Sequence, residues 1–460
     1  MPALYRQIEK EVEMAYLNDI CDDLTSKSFS QIPPEAVETA KRALIDYFAV
    51  TIAGSQHPDL QGVARLSAAK NSTRNAALLG TQLRASPDYA ALHNGFAAHI
   101  YDYDDYSIIN HPTAPVAPAA FSIAESLGGS GQEVLRSYLL AGEAMYRIGR
   151  QCLPFTSDQG WHTTGVFGVL GASVAAGLST RLPADEIAAA LGIAASEASG
   201  LRGNFGSPVK PLHCGMAART GIWCAELAKA GLRPSAGIIE GLDGFFQLFG
   251  GLAPDTVTYS SSQTWSILDP GFNFKRYACC SSMGSALDAL LESDEIAGLN
   301  PADIVAVDVG QSPWSYNELI YHSPSRVTET KFSMEYAVAA ALTFRRASVE
   351  VFNDEAFLNN PAIGPLMERV RTRVDDELAT RNFTADAPVK IDITLENGRS
   401  IHLSRDFAKG NVRNPLTEDE LLQKYRSLVV PVLGDDRSEE LLSGLLQLEQ
   451  VEDVTALLRF

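Results

Sequence analysis

The run GVFGVLGASVAAGLST, from Gly165 to Thr180, constrains this chain more than any other segment. It is apolar, uncharged and rich in small residues: Gly165, Gly168, Gly171, Ala172, Ala175 and Ala176. Side chains that small let neighbouring helix backbones approach closely and still fill space. A bilayer span needs ~20 apolar residues, so this shorter run reads as a buried helix in a tightly packed bundle. The surrounding sequence agrees. EAVETAKRALIDYFAVTIAG places Val37, Ala40, Leu44, Tyr47, Phe48 and Thr51 at helical spacing, with Pro33-Pro34 before it and Gly54 after it. Residues 131–150 repeat the pattern, Pro183 opens another helix, and 215–231 reads as one more.

The character changes after about Asp269. IVAVDVG (304–310) is β-branched and reads as a strand. VKIDITLENGRSIHLSRDF reads as a hairpin around Asn397-Gly398, a type I′ turn signal. Between them, FSMEYAVAAALTFR and PAIGPLMERVRTRV read as helices. A capping box, Thr417 with Glu420, restarts helix to the end. The expected organisation is a large all-helical domain (1–270 with 408–460) and a smaller α+β lid domain (271–407).

With 37 Lys and Arg against 56 Asp and Glu, the net charge is −19. That argues against nucleic acid or an anionic membrane as partner, and requires any anionic substrate to be met by a local cationic pocket. Six cysteines without a CxxC pair exclude a disulfide scaffold and disfavour structural zinc. The charged opening MPALYRQIEKEVEMAY is no secretory signal, so the expected compartment is the cytoplasm.

Two segments could carry chemistry. In AHIYDYDDYSIINHPTAPVAPA, Asp102, Asp104, Asp105 and His111 fall close together, ahead of prolines that read as a rigid loop. The spacing lacks the Gly and distal Glu of a calcium loop, so no metal is expected; a solvated helix end is the bland alternative. In GNFGSPVKPLHCGMAARTG, Lys210 sits in a Gly/Pro loop before a helix, with His213 behind it. An ammonium beside helix N–H groups suits an anion, although a plain turn reads equally well. The glycine spacing matches neither a Walker loop nor a dinucleotide fingerprint. Weaker candidates are His162, Lys275, Arg276, Cys279, Cys280, Lys331 and Tyr336. Together they offer imidazoles, amines, a phenol and a carboxylate with no cofactor motif, a set suited to proton transfer on a small anion.

In order along the chain, ALIDYFAVTIAG, NGFAAHIYDYDD, HPTAPVAPA, GWHTTGVFGVLGASVAA, GSPVKPLHCGMAAR and KFSMEYA resemble the MmgE/PrpD family over essentially the whole length. That family includes 2-methylcitrate dehydratase, cis-aconitate decarboxylase and iminodisuccinate epimerase. The resemblance implies the two-domain helical-plus-lid fold, a homodimer, no metal or organic cofactor, and a small polycarboxylate substrate. Matched position by position, it implies a site of Asp102, His111, His162, Lys210, Lys275 and Tyr336. His111 and His162 would act as acid and base, Asp102 would orient one of them, and Tyr336 would protonate an intermediate. Lys210, Lys275, Arg276 and Cys280 would bind substrate.

Three departures separate this chain from its relatives. IINHPTA stands where the dehydratases carry W-G-H-P-S. Cys280 stands where the decarboxylase carries a histidine. The loop from Asp102 to His111 is one residue shorter than in the decarboxylase. The expected activity is therefore a cofactor-independent epimerase of the iminodisuccinate type, working by proton abstraction α to a carboxylate. The alternatives are a lyase of the same family and a non-catalytic scaffold.

Overall fold

A computed structural model describes residues 15–70, 75–254, 256–261, 264–380 and 386–459; most of the charged N-terminal segment lies outside them. The first half is helical: α1 (Ala15–Thr25), α2 (Pro34–Gly54), α3 (Pro87–His99), α4 (Thr113–Leu127), α5 (Gly131–Cys152), α6 (Thr163–Ser179), α7 (Ala184–Ser196) and α8 (Val209–Lys229). It is not purely helical, since Ala76–Ala77 pairs with Arg84–Ala85 in a small antiparallel ladder.

The Gly/Ala-rich α6 is buried along nearly its whole length and packs on α4, α5 and α8. Its small residues set the helix spacing. A Cβ on Gly221 of α8 would lie 2.5 Å from the Ala172 Cβ, and one on Gly168 would lie 2.8 Å from Pro115. Gly54 acts in the same way. It does not break α2 but ends it against α3, where a Cβ would meet the Ala97 carbonyl oxygen at 2.1 Å. Of the prolines expected in a loop after His111, two instead begin α4 and the third, Pro118, lies inside it. Pro112 is its N-cap and Pro115 lies in its first turn, where no intrahelical N–H bond is lost. α8 starts at Val209, earlier than expected, because Pro211 fits a first turn equally well.

The second unit holds a four-stranded sheet. Its strands are β1 (Ile304–Gln311), β2 (Val370–Val374), β3 (Val389–Leu395) and β4 (Ser400–Arg405), in the order β2-β1-β3-β4. β1 runs parallel to β2, and the other neighbours are antiparallel. Helices α9 (Gly284–Leu291) and α10 (Met334–Phe344) pack on it. Two expectations change here. The segment read as one helix over PAIGPLMERVRTRV splits into a single turn, Ile363–Met367, and strand β2, because VRTRV alternates branched and charged residues. The β3–β4 hairpin pairs Thr394 with Ser400 and Leu395 N–H with the Arg399 carbonyl. Its loop is therefore the three residues Glu396, Asn397 and Gly398, and only Gly398 takes positive φ, at +77°, which excludes the two-residue type I′ turn.

Among the described residues two large hydrophobic cores stand beside two small clusters. One draws on residues from Tyr16 to Phe274 and again from Leu416 to Leu458. The other draws on Tyr277 to Ile401, with Phe205 reaching in from the helical side. The chain re-enters the first core through α11 (Glu418–Leu433) and α12 (Asp435–Leu446), and the Thr417–Glu420 capping box starts α11. Lys424 of α11 fastens this return. Its buried Nζ pairs with Asp46 at 2.6 Å and donates to the carbonyls of Tyr103 at 2.8 Å and Lys275 at 2.9 Å.

The α6–α8 contact leaves no room for a methyl group. Gly221→Ala should therefore destabilise the protein by roughly 1–3 kcal/mol through overpacking, read as a lower urea midpoint. Gly364, with open space around it, is the control position that should shift little on substitution by alanine.

Candidate active site

The sharp turn after α3 makes the site. Asp102 sits three residues beyond His99 with φ +52°, a left-handed conformation that costs a non-glycine residue roughly 1–3 kcal/mol. The turn presents its carboxylate to two ammonium groups. Oδ1 accepts from Lys275 Nζ at 2.7 Å and lies 3.0 Å from Lys210 Nζ, and the Asp102 carbonyl accepts from Lys275 at 2.8 Å. All three residues are buried. Burial alone would raise the Asp102 carboxyl, but Lys210 and Lys275 outweigh it and hold it well below the usual carboxylate range. Burial works to lower the Lys275 ammonium as well, yet Asp102 and Asp104 leave it above its ordinary value.

Separate segments of the chain supply each partner. Lys210 comes from the first turn of α8, its Nζ 5.2 Å from the Phe205 ring centre and 4.9 Å from that of Phe332. Lys275 comes from the segment joining the two cores, anchored where Asn273 pairs with Tyr106. His162 is the N-cap of α6. His111 closes the loop ahead of α4, with Nδ1 2.9 Å from the Asp105 carbonyl and 3.1 Å from Asp104 Oδ2. Both neighbours are acceptors, so Nδ1 carries the proton. Nε2, 3.8 Å from Asp102 Oδ1, is then the nitrogen able to take or return one.

Three neighbouring imidazoles are held neutral, His99 and His162 buried and His213 half-buried. His162 Nδ1 lies 3.0 Å from His213 Nδ1, so one of the two carries the shared proton. Burial first, then Lys210, holds His162 well below its ordinary value, and the same causes bring His213 to about 4. His99 donates toward Asp104 at 2.8 Å, and burial brings it to about 3. Asp105 is a structural carboxyl, accepting from Thr113 at 2.6 Å and pushed well up by burial.

Asp102, His111, His162, Lys210, Lys275 and Cys280 all line one cleft between the two cores, with about 660 Å³ of space including its mouth. Two expected residues are elsewhere. Tyr336 is fully buried in the second core, its hydroxyl donating to the Val351 carbonyl and its ring against Phe352, because α10 turns that face inward. Arg276 points away from Lys275 and bonds Asp288 at 2.9 Å and Glu292 at 2.5 Å. Cys280 stays a thiol, since burial and then Glu318 push it up. Lys331 lines a smaller cavity on the other side of Asp102 and Lys210.

Sequence reasoning missed four contributors: His99, Arg202, Trp314 and Glu318. Arg202 stands one residue before the flagged Gly203 and forms no ion pair among the described residues. Neither Trp314 nor Glu318 belongs to a motif. His99, Asp102, Asp104 and His111 also bring ligand atoms within 4.8 Å of one another, a grouping that spacing alone hid. Asp102 in that group already faces two ammonium ions, so a further cation would meet repulsion there.

Two family models match this chain: the MmgE/PrpD N-terminal domain over residues 18–256 and the MmgE/PrpD C-terminal domain over 277–449. Curated relatives include the cis-aconitate decarboxylase of Homo sapiens, 27% identical over 435 residues that cover 92% of this chain and 89% of that one. The cis-aconitate decarboxylase of Aspergillus terreus is 25% identical over 473 residues, covering 96% and 94%. Among the described residues no helix is long and apolar enough to cross a membrane.

Five imidazoles, His57, His93, His99, His162 and His213, have folded values below the ordinary 6.5. Between those values and 6.5 the unfolded chain binds more protons than the folded one, so stability falls as pH drops below about 6.5. Each such group removes up to about 2 kcal/mol by pH ~5. Urea midpoints should fall clearly between pH 7.5 and 5; a flat profile would contradict the buried neutral imidazoles.

Proposed function

This chain belongs to the MmgE/PrpD family, and from that premise we propose that it is a cofactor-independent enzyme acting on a small polycarboxylate, with lyase chemistry. The observation that carries the reading is the pairing of Lys210 and Lys275 on Asp102 in the same cleft as His111 and His162. The relatives named cis-aconitate decarboxylase support a lyase over the epimerase expected from sequence. A homodimer in the cytoplasm belongs to the same proposal.

Loss of CO2 or of a proton next to a carboxylate leaves charge that spreads onto the carboxylate oxygens. Such charge is stabilised by cations and donors fixed in advance in a water-poor site. Lys210, Lys275 and Arg202 supply them, and the Asp102 anchor holds the two lysines in place without reorganisation. His111 Nε2 moves the proton, its Nδ1–H fixed by Asp104 and Asp105. Neutral His162 accepts or relays a proton according to which of the His162–His213 pair holds the shared one. Tyr336 has no part in this scheme.

One observation favours a second outcome, return of a proton to the same carbon. The cleft carries proton-handling groups on two sides, imidazoles from the helical unit and the Cys280 thiol from the lid. Proton NMR in D2O with a panel of di-, tri- and tetracarboxylates separates the two. Stoichiometric CO2 or a new alkene is the expected result. Solvent deuterium in recovered substrate with neither product would promote the epimerase.

Variants test the assignment of roles. Losing a charge-assisted contact costs roughly 1.5–3 kcal/mol, so Lys210→Ala and Lys275→Ala should raise KM about tenfold or more. Removing a general acid–base group costs about 10²–10⁴ in rate, so His111→Gln should lower kcat with KM little changed. Tyr336→Phe should leave kcat near wild type.

A further inference from the structure

Around the cleft, His99 and His111 turn Nδ1 to oxygen acceptors, Asp104 Oδ1 at 2.8 Å for His99 and the Asp105 carbonyl at 2.9 Å for His111. Such a partner fixes which ring nitrogen carries hydrogen. His162 differs, because its Nδ1 faces another imidazole nitrogen, His213 Nδ1, at 3.0 Å. Either nitrogen can donate or accept, so the contact holds the pair without committing either ring. Local backbone seats it. The His162 N–H donates to the Gly200 carbonyl at 2.8 Å. Gly200 has φ +122°, and a Cβ there would lie 3.3 Å from His213 Nδ1. The His162 ring stands edge-on to Phe205 at 5.2 Å and stacks on His99 at 5.8 Å. His162 lines the cleft, whereas His213 does not and is half-buried. Burial first, then Lys210, keeps both rings neutral.

We propose that His162 and His213 form a proton wire through the wall of the cleft, in which His213 exchanges protons with solvent while substrate fills the cleft. The inference rests on the reading of the cleft as a lyase site. Loss of CO2 leaves an electron pair on carbon and consumes one proton from solvent. That proton enters at His213 Nε2. The hydrogen on His213 Nδ1 moves to His162 Nδ1, and the hydrogen on His162 Nε2 passes to the carbon. Each ring gains one proton and gives one, so both stay neutral. After product leaves, water in the open cleft returns a proton to His162 Nε2, its Nδ1 hydrogen goes back to His213 Nδ1, and His213 Nε2 releases one. His213 therefore acts through His162 without touching substrate.

The test compares His213→Ala and His213→Asn with wild type, with cis-aconitate as the probe. The asparagine amide can hold the His162 ring from either end but cannot take a proton in on one side and give one out on the other. Both variants should lose about tenfold or more in kcat, with KM within about twofold of wild type. Added imidazole should restore turnover to His213→Ala by carrying the proton itself. A His213→Asn variant as fast as wild type overturns the proposal, since holding the ring would then suffice; so does an unchanged kcat in His213→Ala. NMR of the wild-type protein labelled with 15N-histidine reads the pair without turnover. Near neutral pH the two Nδ1 atoms should share one hydrogen, seen as opposite or averaged shifts, and a hydrogen absent from both overturns the proposal. If wild type releases no CO2 from cis-aconitate, the lyase reading for that acid fails and the NMR result decides this inference.

Discussion

The site depends on a carboxylate buried between two ammonium groups. Asp102 could not stay ionised in that setting without Lys210 and Lys275, and neither lysine would sit so deep without it. The arrangement uses three stretches of chain that are far apart in sequence: the turn after α3, the first turn of α8, and the segment that leaves the helical core for the lid. Fixing one atom, Asp102 Oδ1, therefore fixes the positions of both units relative to the cleft. The left-handed backbone at Asp102 is held against its local preference by these contacts, as strained backbone at functional sites generally is.

Around that centre, the imidazoles differ in what each one faces. His111 has two acceptors at Nδ1 and some access to the cleft, so one nitrogen is committed and the other is free to exchange protons. His99 and His162 are enclosed, and His162 also feels Lys210. Neutral imidazoles stand beside two lysines in one cleft. A chain with net charge −19 thus builds a cationic interior by placing three basic residues on one cleft.

The helical half was legible because its signals are local. Proline starts, capping boxes and the small-residue stripe of α6 each act within a few residues. Asp102, His111, His162, Lys210 and Lys275 were legible because each stands in a polar or Gly/Pro-rich interruption of apolar sequence. Tyr336 misled because a motif position does not say which face of α10 meets the cleft; the register of that helix sends its ring into the second core. VRTRV misled because five residues can satisfy either period when a helical turn precedes them. Arg202 and Glu318 were invisible because their placement depends on how the lid sits over the helical unit, which no single segment encodes.

The course of the chain also governs the order in which it can be completed during synthesis. The first core needs Leu421, Tyr425, Val429, Leu441 and Leu445 from α11 and α12, and the lid is already translated when they emerge. Until then α2 lacks its packing partner α11, and Asp46 lacks its buried Lys424. The lid, whose core is drawn almost entirely from one continuous stretch, can close while the larger unit is still waiting. A nascent polypeptide of this design therefore exposes apolar helix faces until α11 and α12 leave the exit tunnel and cover them.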